Sequence, residues 1–145
     1  LRSTDLQAFI GLGQIDKLDY ICKRRNENFE IYQKELKYIK PFINSRYDSF
    51  ISNFAYPIIS KNRDSIVATL QNKNIEVRPM ICGSMGKQPF YVKEYGKKEL
   101  PNASIIDEYG FYVPNHPDLN KKDILTITDI INNIDPLVGS YLQTR

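Results

Sequence analysis

The sequence has no tryptophan, one histidine and only two cysteines among its 145 residues. Neither Cys22 nor Cys82 has a His or a second Cys at metal-ligand spacing, which argues against a zinc site, and unpaired thiols suit a reducing compartment. The apolar runs are too short to cross a membrane, and no signal-peptide pattern is present. We therefore expect a cytoplasmic protein with no bound metal and no membrane contact.

The sequence also lacks a strong excess of either charge. Its formal net charge is +3, with 41% hydrophobic and 26% charged residues, which is typical of a globular domain. The segment "FYVKEYGKKE", residues 90–99, mixes aromatic residues with lysines, a pattern that can stack single-stranded bases. Glu94 and Glu99 dilute its charge. We therefore interpret it as a solvated segment and expect no nucleic-acid partner.

Residues 1–40 are predicted to form a helical segment. Thr4 and Gln7 have the spacing of a capping box at its start, and Pro41 is expected to end it. Between them, apolar residues recur at gaps of three, four and seven and define one helix face. These residues are Ile15, Leu18, Cys22, Phe29, Tyr32 and Leu36.

Three residues interrupt that helical pattern. Gly11 and Gly13 are unfavourable inside a helix, so they indicate close backbone packing or a break between two helices. Arg25 occupies a place on the apolar stripe, where its charged head either reaches water or is buried and paired.

Residues 41–145 are predicted to form a small lobe with three strands, "FISNFAYPII" (50–59), "IEVRPMI" (75–81) and "FYVP" (111–114). Pro57 favours an edge position or a bulge. A loop is expected over residues 82–101. The predicted fold class is α+β, with a long N-terminal helical segment followed by a small, mostly antiparallel sheet packed by helices. Together they form a single domain over 1–145.

Capping residues mark the helices of this lobe. Asn62 is expected to cap a helix that ends near Asn74. A second short helix should stop at Gly110, in the position preferred for a left-handed cap. Asn120 and Asp123 open the last helix. Its inward face is predicted to be Ile124, Ile127, Ile131 and Ile134.

The stretch "RPMICGSMGKQP", residues 78–89, carries the most suggestive chemistry. Arg78 can make two parallel hydrogen bonds to a phosphate or carboxylate, and Lys87 adds a positive charge. Gly83 and Gly86 allow positive φ and let backbone N–H groups approach a ligand. The residues themselves leave two interpretations open, an anion-binding loop and a plain flexible loop.

The single histidine limits the possible catalytic groups. A Ser-His-Asp or Cys-His triad would need His116 as its base. This residue lies in "VPNHPDL", which we interpret as a turn where an isolated His is a surface or capping residue. No zinc-protease, phosphate-loop or dinucleotide motif occurs, and no pair of carboxylates has acid–base spacing.

Two segments resemble a known family. "LRSTDLQAFIGLGQIDKLDYICKRRNENFEIY" resembles the helical segment that follows the cofactor-binding domain in the DegT/DnrJ/EryC1/StrS family. The family pattern there is Asn-x-Arg, Thr-Asp/Glu-x-Gln-Ala and Gly-x-x-Gln. The matching residues are Leu1-Arg2, Thr4-Asp5, Gln7-Ala8, Gly11 and Gln14. "LPNASIIDEYGFYVPNHPDL" resembles the family's C-terminal lobe.

This resemblance implies the C-terminal domain of a sugar-nucleotide aminotransferase or dehydratase of aspartate-aminotransferase fold. Such enzymes use pyridoxal or pyridoxamine phosphate, whose ring acts as the electron sink. Their catalytic lysine or histidine and their cofactor-binding groups would lie before Leu1. We therefore expect a fragment of a longer enzyme that has no catalytic residue of its own, does not hold the cofactor and is inactive alone.

"VRPMICGSMGKQP" together with "GFYVPNHP" resembles the branch of 3-dehydratases acting on nucleotide-linked 4-keto-6-deoxyhexoses in deoxysugar and lipopolysaccharide biosynthesis. That branch commonly has Gly-Asn where this chain has Gly83-Ser84. A sugar-nucleotide 4-aminotransferase of the same family is the alternative. A stand-alone nucleotide- or anion-binding module is the alternative from another class.

The resemblance implies substrate contacts for Arg2, Arg78, Gly83, Lys87, Gln88 and His116. Arg2 would reach the sugar nucleotide from a partner subunit. Arg78 through Gln88 would lie on a mobile loop near the substrate, and His116 in a turn close to that loop. The full-length enzyme would be a homodimer, with an apolar dimer surface on the first helix. The residues expected to be exposed there are Ile10, Leu12 and Tyr20.

Overall fold

The structure is a computed structural model that describes residues 4–37 and 50–135. Its helices are α1 (Asp5–Ile15), α2 (Leu18–Glu35), α3 (Arg63–Asn72), α4 (Pro89–Tyr95), α5 (Pro101–Tyr109) and α6 (Lys121–Ile134). Its strands are β1 (Ala55–Ile59), β2 (Arg78–Pro79) and β3 (Gly110–Pro114), and a 3₁₀ turn spans Met85–Lys87. Arg2, Pro41 and the predicted boundary at 40/41 lie outside the described residues.

The three strands form one antiparallel sheet in the order β1-β3-β2. The predicted α+β class with a small antiparallel sheet is therefore confirmed. Pro57 lies in β1, an edge strand, where its missing N–H removes no bond from the ladder. The strand predicted at 75–81 is much shorter than expected, because only Arg78 and Pro79 pair with β3.

One face of the sheet is covered by helices. Tyr56 and Ile58 of β1, with Phe111 and Val113 of β3, alternate along their strands and are almost fully buried. They join apolar side chains of α2, α3 and α6 in a single core. The helix residues in that core are Phe29, Tyr32, Ile66, Leu70, Ile124, Ile127, Ile130 and Ile131.

The N-terminal helical segment consists of two helices rather than one. The predicted capping box is confirmed, with the Thr4 hydroxyl accepting from Gln7 N–H and the Gln7 side chain accepting from Thr4 N–H. The break falls at 16–17, after the two glycines of α1. Consistent with this break, Phe29 and Tyr32 are buried while Ile15 and Leu18 of the same predicted stripe are exposed.

Gly11 and Gly13 lie inside α1, and a Cβ on either would meet no described atom within 4 Å. Close packing of α1 through these glycines therefore does not occur against the described residues. The Arg25 Nε is buried and has no hydrogen-bond partner among the described residues, and its side chain is half-buried. It is therefore neither fully solvated nor paired.

Helix α1 has no buried residue although it is rich in apolar side chains. The exposed apolar residues on and just after it are Leu6, Phe9, Ile10, Leu12, Ile15, Leu18 and Tyr20. The predicted exposure of Ile10, Leu12 and Tyr20 is thus confirmed. Helix α1 therefore makes no buried apolar contact with the described residues.

The last helix matches its prediction. Asn120 and Asp123 form a capping box at the start of α6, and Ile124, Ile127 and Ile131 are buried. Asn62 occupies the N-cap position of α3, but its side chain makes no capping bond.

Two local predictions are wrong. The segment 82–101 is not an extended loop, because it contains the 3₁₀ turn and α4. Gly110 is not a left-handed cap: it has φ −84° and ψ 139° and is the first residue of β3. Its pairing with Ile59 fixes the extended conformation directly after α5.

The core tyrosines predict sensitivity to alkali. Burial raises the pKa of both Tyr32 and Tyr56 above the ordinary value of 10.0. Since the folded pKa is the higher one, their contribution to stability is complete below about pH 10 and is lost as pH rises. We expect the free energy of unfolding to fall by up to about 1.4 kcal/mol per pH unit for each of them.

Urea unfolding followed by circular dichroism between neutral and alkaline pH measures this slope. The Tyr56→Phe variant should show about half the slope of the wild type above pH ~10. The tyrosine interpretation fails if both proteins lose stability equally with pH.

Candidate functional site

The uncovered face of the sheet carries a row of three residues. Pro57, Tyr112 and Arg78 are register partners across β1, β3 and β2. Since their strand neighbours Tyr56, Phe111 and Val113 point into the core, this row points outward. The open face therefore combines an aromatic ring with a cationic head.

An apolar hollow lies beside this row. Its volume is about 520 Å³ and it is lined by Asn53, Phe54, Ala55, Pro57, Met80, Ile81, Ile106 and Tyr112. Phe54 meets Tyr112 edge to face, with ring centroids 5.7 Å apart. Both Phe54 and Ile81 are well exposed. The hollow can receive a flat or apolar group. Arg78 does not line it but pairs with Tyr112, which does.

Arg78 is on β2 at the open edge of the sheet, where its side chain is exposed. Its guanidinium donates a hydrogen bond from Nε to Glu76 Oε1 at 2.7 Å, and Nη2 forms an ion pair with the same oxygen at 2.6 Å. The hydrogen bond and the charge of Glu76 raise the pKa of Arg78. Arg78 is therefore a permanent cation whose bonding edge is occupied by a neighbouring carboxylate.

The loop after β2 turns sharply against α5. Cys82 and Gly83 have φ of 69° and 52°, in the left-handed region. A Cβ at Gly83 would lie 2.1 Å from Asp107 Oδ1, so glycine satisfies both the backbone angle and the space. Gln88 Nε2 donates to the Cys82 carbonyl at 2.7 Å and closes the loop. Gly83 and Gln88 thus determine the shape of the loop.

Lys87 ends the 3₁₀ turn and is exposed. The pKa of Glu99 is lowered chiefly by a hydrogen bond from Lys97, and the charge of Lys87 lowers it further. Gly86 is pressed against the following segment: a Cβ there would lie 2.1 Å from the Lys98 carbonyl oxygen. The segment after α4 therefore folds back onto the 3₁₀ turn, and Lys87 stays exposed to solvent.

His116 lies at the opposite end of β3 from this loop. Met80 and the loop lie beside Gly110, the first residue of the strand, whereas His116 follows its last residue. The length of β3, roughly 13 Å, separates them. The prediction that His116 is close to the loop is therefore wrong, because the strand runs away from it.

The turn that contains His116 is held by α2. Asn28 Nδ2 donates to the His116 carbonyl, Tyr32 Oη to the Pro114 carbonyl, and Arg24 to two later carbonyls. The His116 ring is exposed, and its Nδ1 accepts from Asp118 N–H at 3.3 Å. This agrees with the interpretation of His116 as a surface turn residue.

The structure thus places Gly83, Lys87 and Gln88 in the loop and turn that follow Arg78 on β2, and leaves His116 at the other end of β3. Arg2 lies outside the described residues. Sequence reasoning missed Tyr112, Phe54 and Glu76. The alternation of "FYVP" could have placed Tyr112 on the outer face. The contact of Phe54 with Tyr112 depends on strand register and had no signal of its own. The contact of Glu76 with Arg78 is local, and their spacing of two residues could have suggested it.

The fold defines an α+β lobe with one sheet face covered by helices and one open. The chain belongs to the DegT/DnrJ/EryC1/StrS aminotransferase family, whose sequence profile matches residues 1–132. The resemblance inferred from the sequence is therefore confirmed.

Two relatives illustrate the activities found in this family. GDP-4-keto-6-deoxy-D-mannose 3-dehydratase of Yersinia pseudotuberculosis is 29% identical over 80% of this chain and 32% of its own length. GDP-perosamine synthase of Escherichia coli O157:H7 is 27% identical over 90% of this chain and 36% of its own length. The chain therefore spans about a third of the relatives that it matches.

Solved structures show the same fold. A DegT DnrJ EryC1 StrS aminotransferase from Brucella abortus superposes with a TM-score of 0.77 at 25% identity, over 91% of this chain and 36% of that one. The E. coli GDP-4-keto-6-deoxy-D-mannose-3-dehydratase with bound hydrated PLP gives 0.73 at 24% identity, over 90% and 36%. The second enzyme carries its cofactor in a longer chain, since 90% of this chain covers only 36% of it.

The described residues do not by themselves fit that cofactor. Every lysine at positions 4–37 and 50–135 is exposed, as is His116, so no enclosed amine or imidazole is available to hold a pyridoxal ring. In the same ranges, no group of three or more His, Cys, Asp or Glu could hold a metal ion. No helix of the described part is long and apolar enough to cross a membrane.

Proposed function

We propose that this chain is the C-terminal lobe of a pyridoxamine- or pyridoxal-phosphate-dependent enzyme that dehydrates a nucleotide-linked 4-keto-6-deoxy sugar at C3. The observation that carries the proposal is the position of Arg78, exposed on the open sheet face beside an apolar aromatic hollow. A fixed cation next to a hydrophobic surface suits an anionic sugar nucleotide. The 3-dehydratase relative supports the reaction type.

In this proposal the lobe binds and orients the substrate. Arg78 and Lys87 contact its phosphates, and the loop closed by Gln88 holds Lys87 in place. Arg2 would contribute from the partner subunit of a homodimer. His116, at the far end of β3, has no place in this contact set. The location would be the cytoplasm.

Amination at C4 is the alternative within the family, supported by the perosamine synthase relative. Both reactions would use the same lobe, since the proton-transferring group is proposed to belong to the remainder of the enzyme. The stand-alone binding module is less well supported, because the apolar side chains of α1 that the described residues leave exposed suit a lobe that packs against the remainder of a longer enzyme.

Titration of the isotopically labelled chain with GDP, followed by NMR, tests the proposed contact. We expect weak binding, with a dissociation constant on the order of 1 mM, because the lobe supplies only part of the site. Chemical-shift changes should map to Arg78 and to residues 82–88. Arg78→Gln should weaken binding at least about tenfold, the effect of losing charge-assisted hydrogen bonds.

Lys122→Gln is the matched control, since it removes one exposed positive charge on α6. It should leave the affinity nearly unchanged. Shifts confined to the turn around His116, or an Arg78→Gln variant that binds like Lys122→Gln, would contradict the proposed contact. Micromolar binding by the chain alone would favour the binding-module alternative.

A further inference from the structure

The carboxylate of Glu76 occupies the bonding edge of Arg78. Glu76 and Arg78 are exposed on either side of the buried Val77, and the hydrogen bond between them places their side chains together. A single oxygen, Glu76 Oε1, accepts a hydrogen bond from Nε and lies 2.6 Å from Nη2 of the guanidinium. These are donors that a phosphate or carboxylate ligand would use in a side-on contact.

This ion pair is readily exchangeable. The Arg78 and Glu76 side chains are 65% and 72% exposed, so both heads are hydrated and the pair is only weakly held. Among the described residues, the Glu76 carboxylate is the group that hydrogen-bonds to the Arg78 guanidinium, through its Oε1 atom. The charge of Arg78 is thus already neutralised by Glu76 before an anion binds. The anion can displace the Glu76 carboxylate, because the pair is exposed.

We propose that Glu76 is a resident counter-ion that restrains the affinity of Arg78 for anions. The inference rests on the proposed function only in assigning an anion contact to Arg78. Without a ligand, Glu76 satisfies the guanidinium. A multiply charged phosphate displaces the Glu76 carboxylate from the Nε and Nη2 side of the guanidinium. The negative charge of Glu76 stays nearby, repels the bound phosphate and so lowers its affinity for Arg78. Removing that charge while keeping the side-chain shape should therefore tighten anion binding.

The test is a titration of the 145-residue chain with inorganic pyrophosphate at low ionic strength, observed at the Arg78 Nε–Hε signal by NMR. We expect Glu76→Gln to bind pyrophosphate about three- to tenfold more tightly than the wild type, the effect of one unit charge at close range in a largely aqueous setting. Since both side chains are exposed, the fold should be unaffected.

Asp129→Asn is the matched control. It removes one exposed negative charge on α6, a helix that packs against α2 and α3. Its affinity should stay within about twofold of the wild type. The double variant Glu76→Gln/Arg78→Gln should lose the gain completely, because the gain acts through Arg78.

Three results overturn the inference. One is a Glu76→Gln affinity no higher than that of Asp129→Asn. Another is a gain that survives in the double variant, and the third is the absence of pyrophosphate binding in Glu76→Gln. The first leaves the proposed function intact if Arg78→Gln still abolishes binding. Pyrophosphate binding that is indifferent to Arg78→Gln counts against the proposed contact itself.

Discussion

Replacing Tyr56 with alanine is expected to lower the free energy of unfolding by about 3–5 kcal/mol, the range for deleting a large buried aromatic ring. Tyr56 is fully buried in the sheet's covered face. It stacks on Tyr32 with centroids 4.7 Å apart and contacts Phe29 at 5.4 Å. Because typical domains are stable by only about 5–15 kcal/mol, this single change should bring the lobe close to unfolding.

Urea unfolding of Tyr56→Ala measures the loss, with the m-value checking that the exposed surface is unchanged. Tyr56→Phe is the matched control. The Tyr56 hydroxyl is buried and has no hydrogen-bond partner among the described residues, so its removal should be neutral or slightly stabilising at neutral pH. A loss below about 1 kcal/mol in Tyr56→Ala would show that this ring is not central to the core.

Local sequence signals predicted local structure well. The capping boxes at Thr4 and Asn120 depend on residues three apart, and both occur. The edge position of Pro57, one of the two that its sequence allowed, likewise follows from a single residue. The family's α+β lobe was therefore foreseeable from short segments together with the resemblance.

The wrong predictions concern residues whose conformation depends on pairing with strands distant in the sequence. Gly110 suits a helix cap by its local position, but pairing with Ile59 draws it into β3. Only two residues of the second strand find partners, although the apolar pattern there is longer. No signal within 82–101 predicted that α4 would form, apart from Pro89 at its first turn.

The same distinction applies to the site. The chemistry of Arg78, Lys87 and the loop glycines made them candidates, but it left an anion-binding loop and a plain flexible loop both open. The register of Arg78 with Tyr112, by contrast, depends on pairing between distant strands and could not be predicted from sequence spacing. His116 was misplaced because its distance from the loop depends on the direction of β3, which sequence spacing does not specify.

The central claim is that this lobe supplies an arginine-bearing, substrate-side surface to a sugar-nucleotide enzyme. The most direct test is a hybrid in which residues 1–145 replace the matching C-terminal part of the Yersinia pseudotuberculosis 3-dehydratase. Retained cofactor absorbance would show that the hybrid is assembled. The hybrid should dehydrate the GDP-4-keto-6-deoxy-D-mannose on which that enzyme acts.

In that hybrid, Arg78→Gln should lower kcat/KM by about 10- to 150-fold, the equivalent of losing charge-assisted hydrogen bonds worth about 1.5–3 kcal/mol. Lys122→Gln, the charge-matched control on α6, should change it by less than about twofold. Turnover with this dependence on Arg78 is the predicted result. A hybrid that binds the cofactor but does not turn over, or whose Arg78→Gln and Lys122→Gln variants behave alike, would contradict the account.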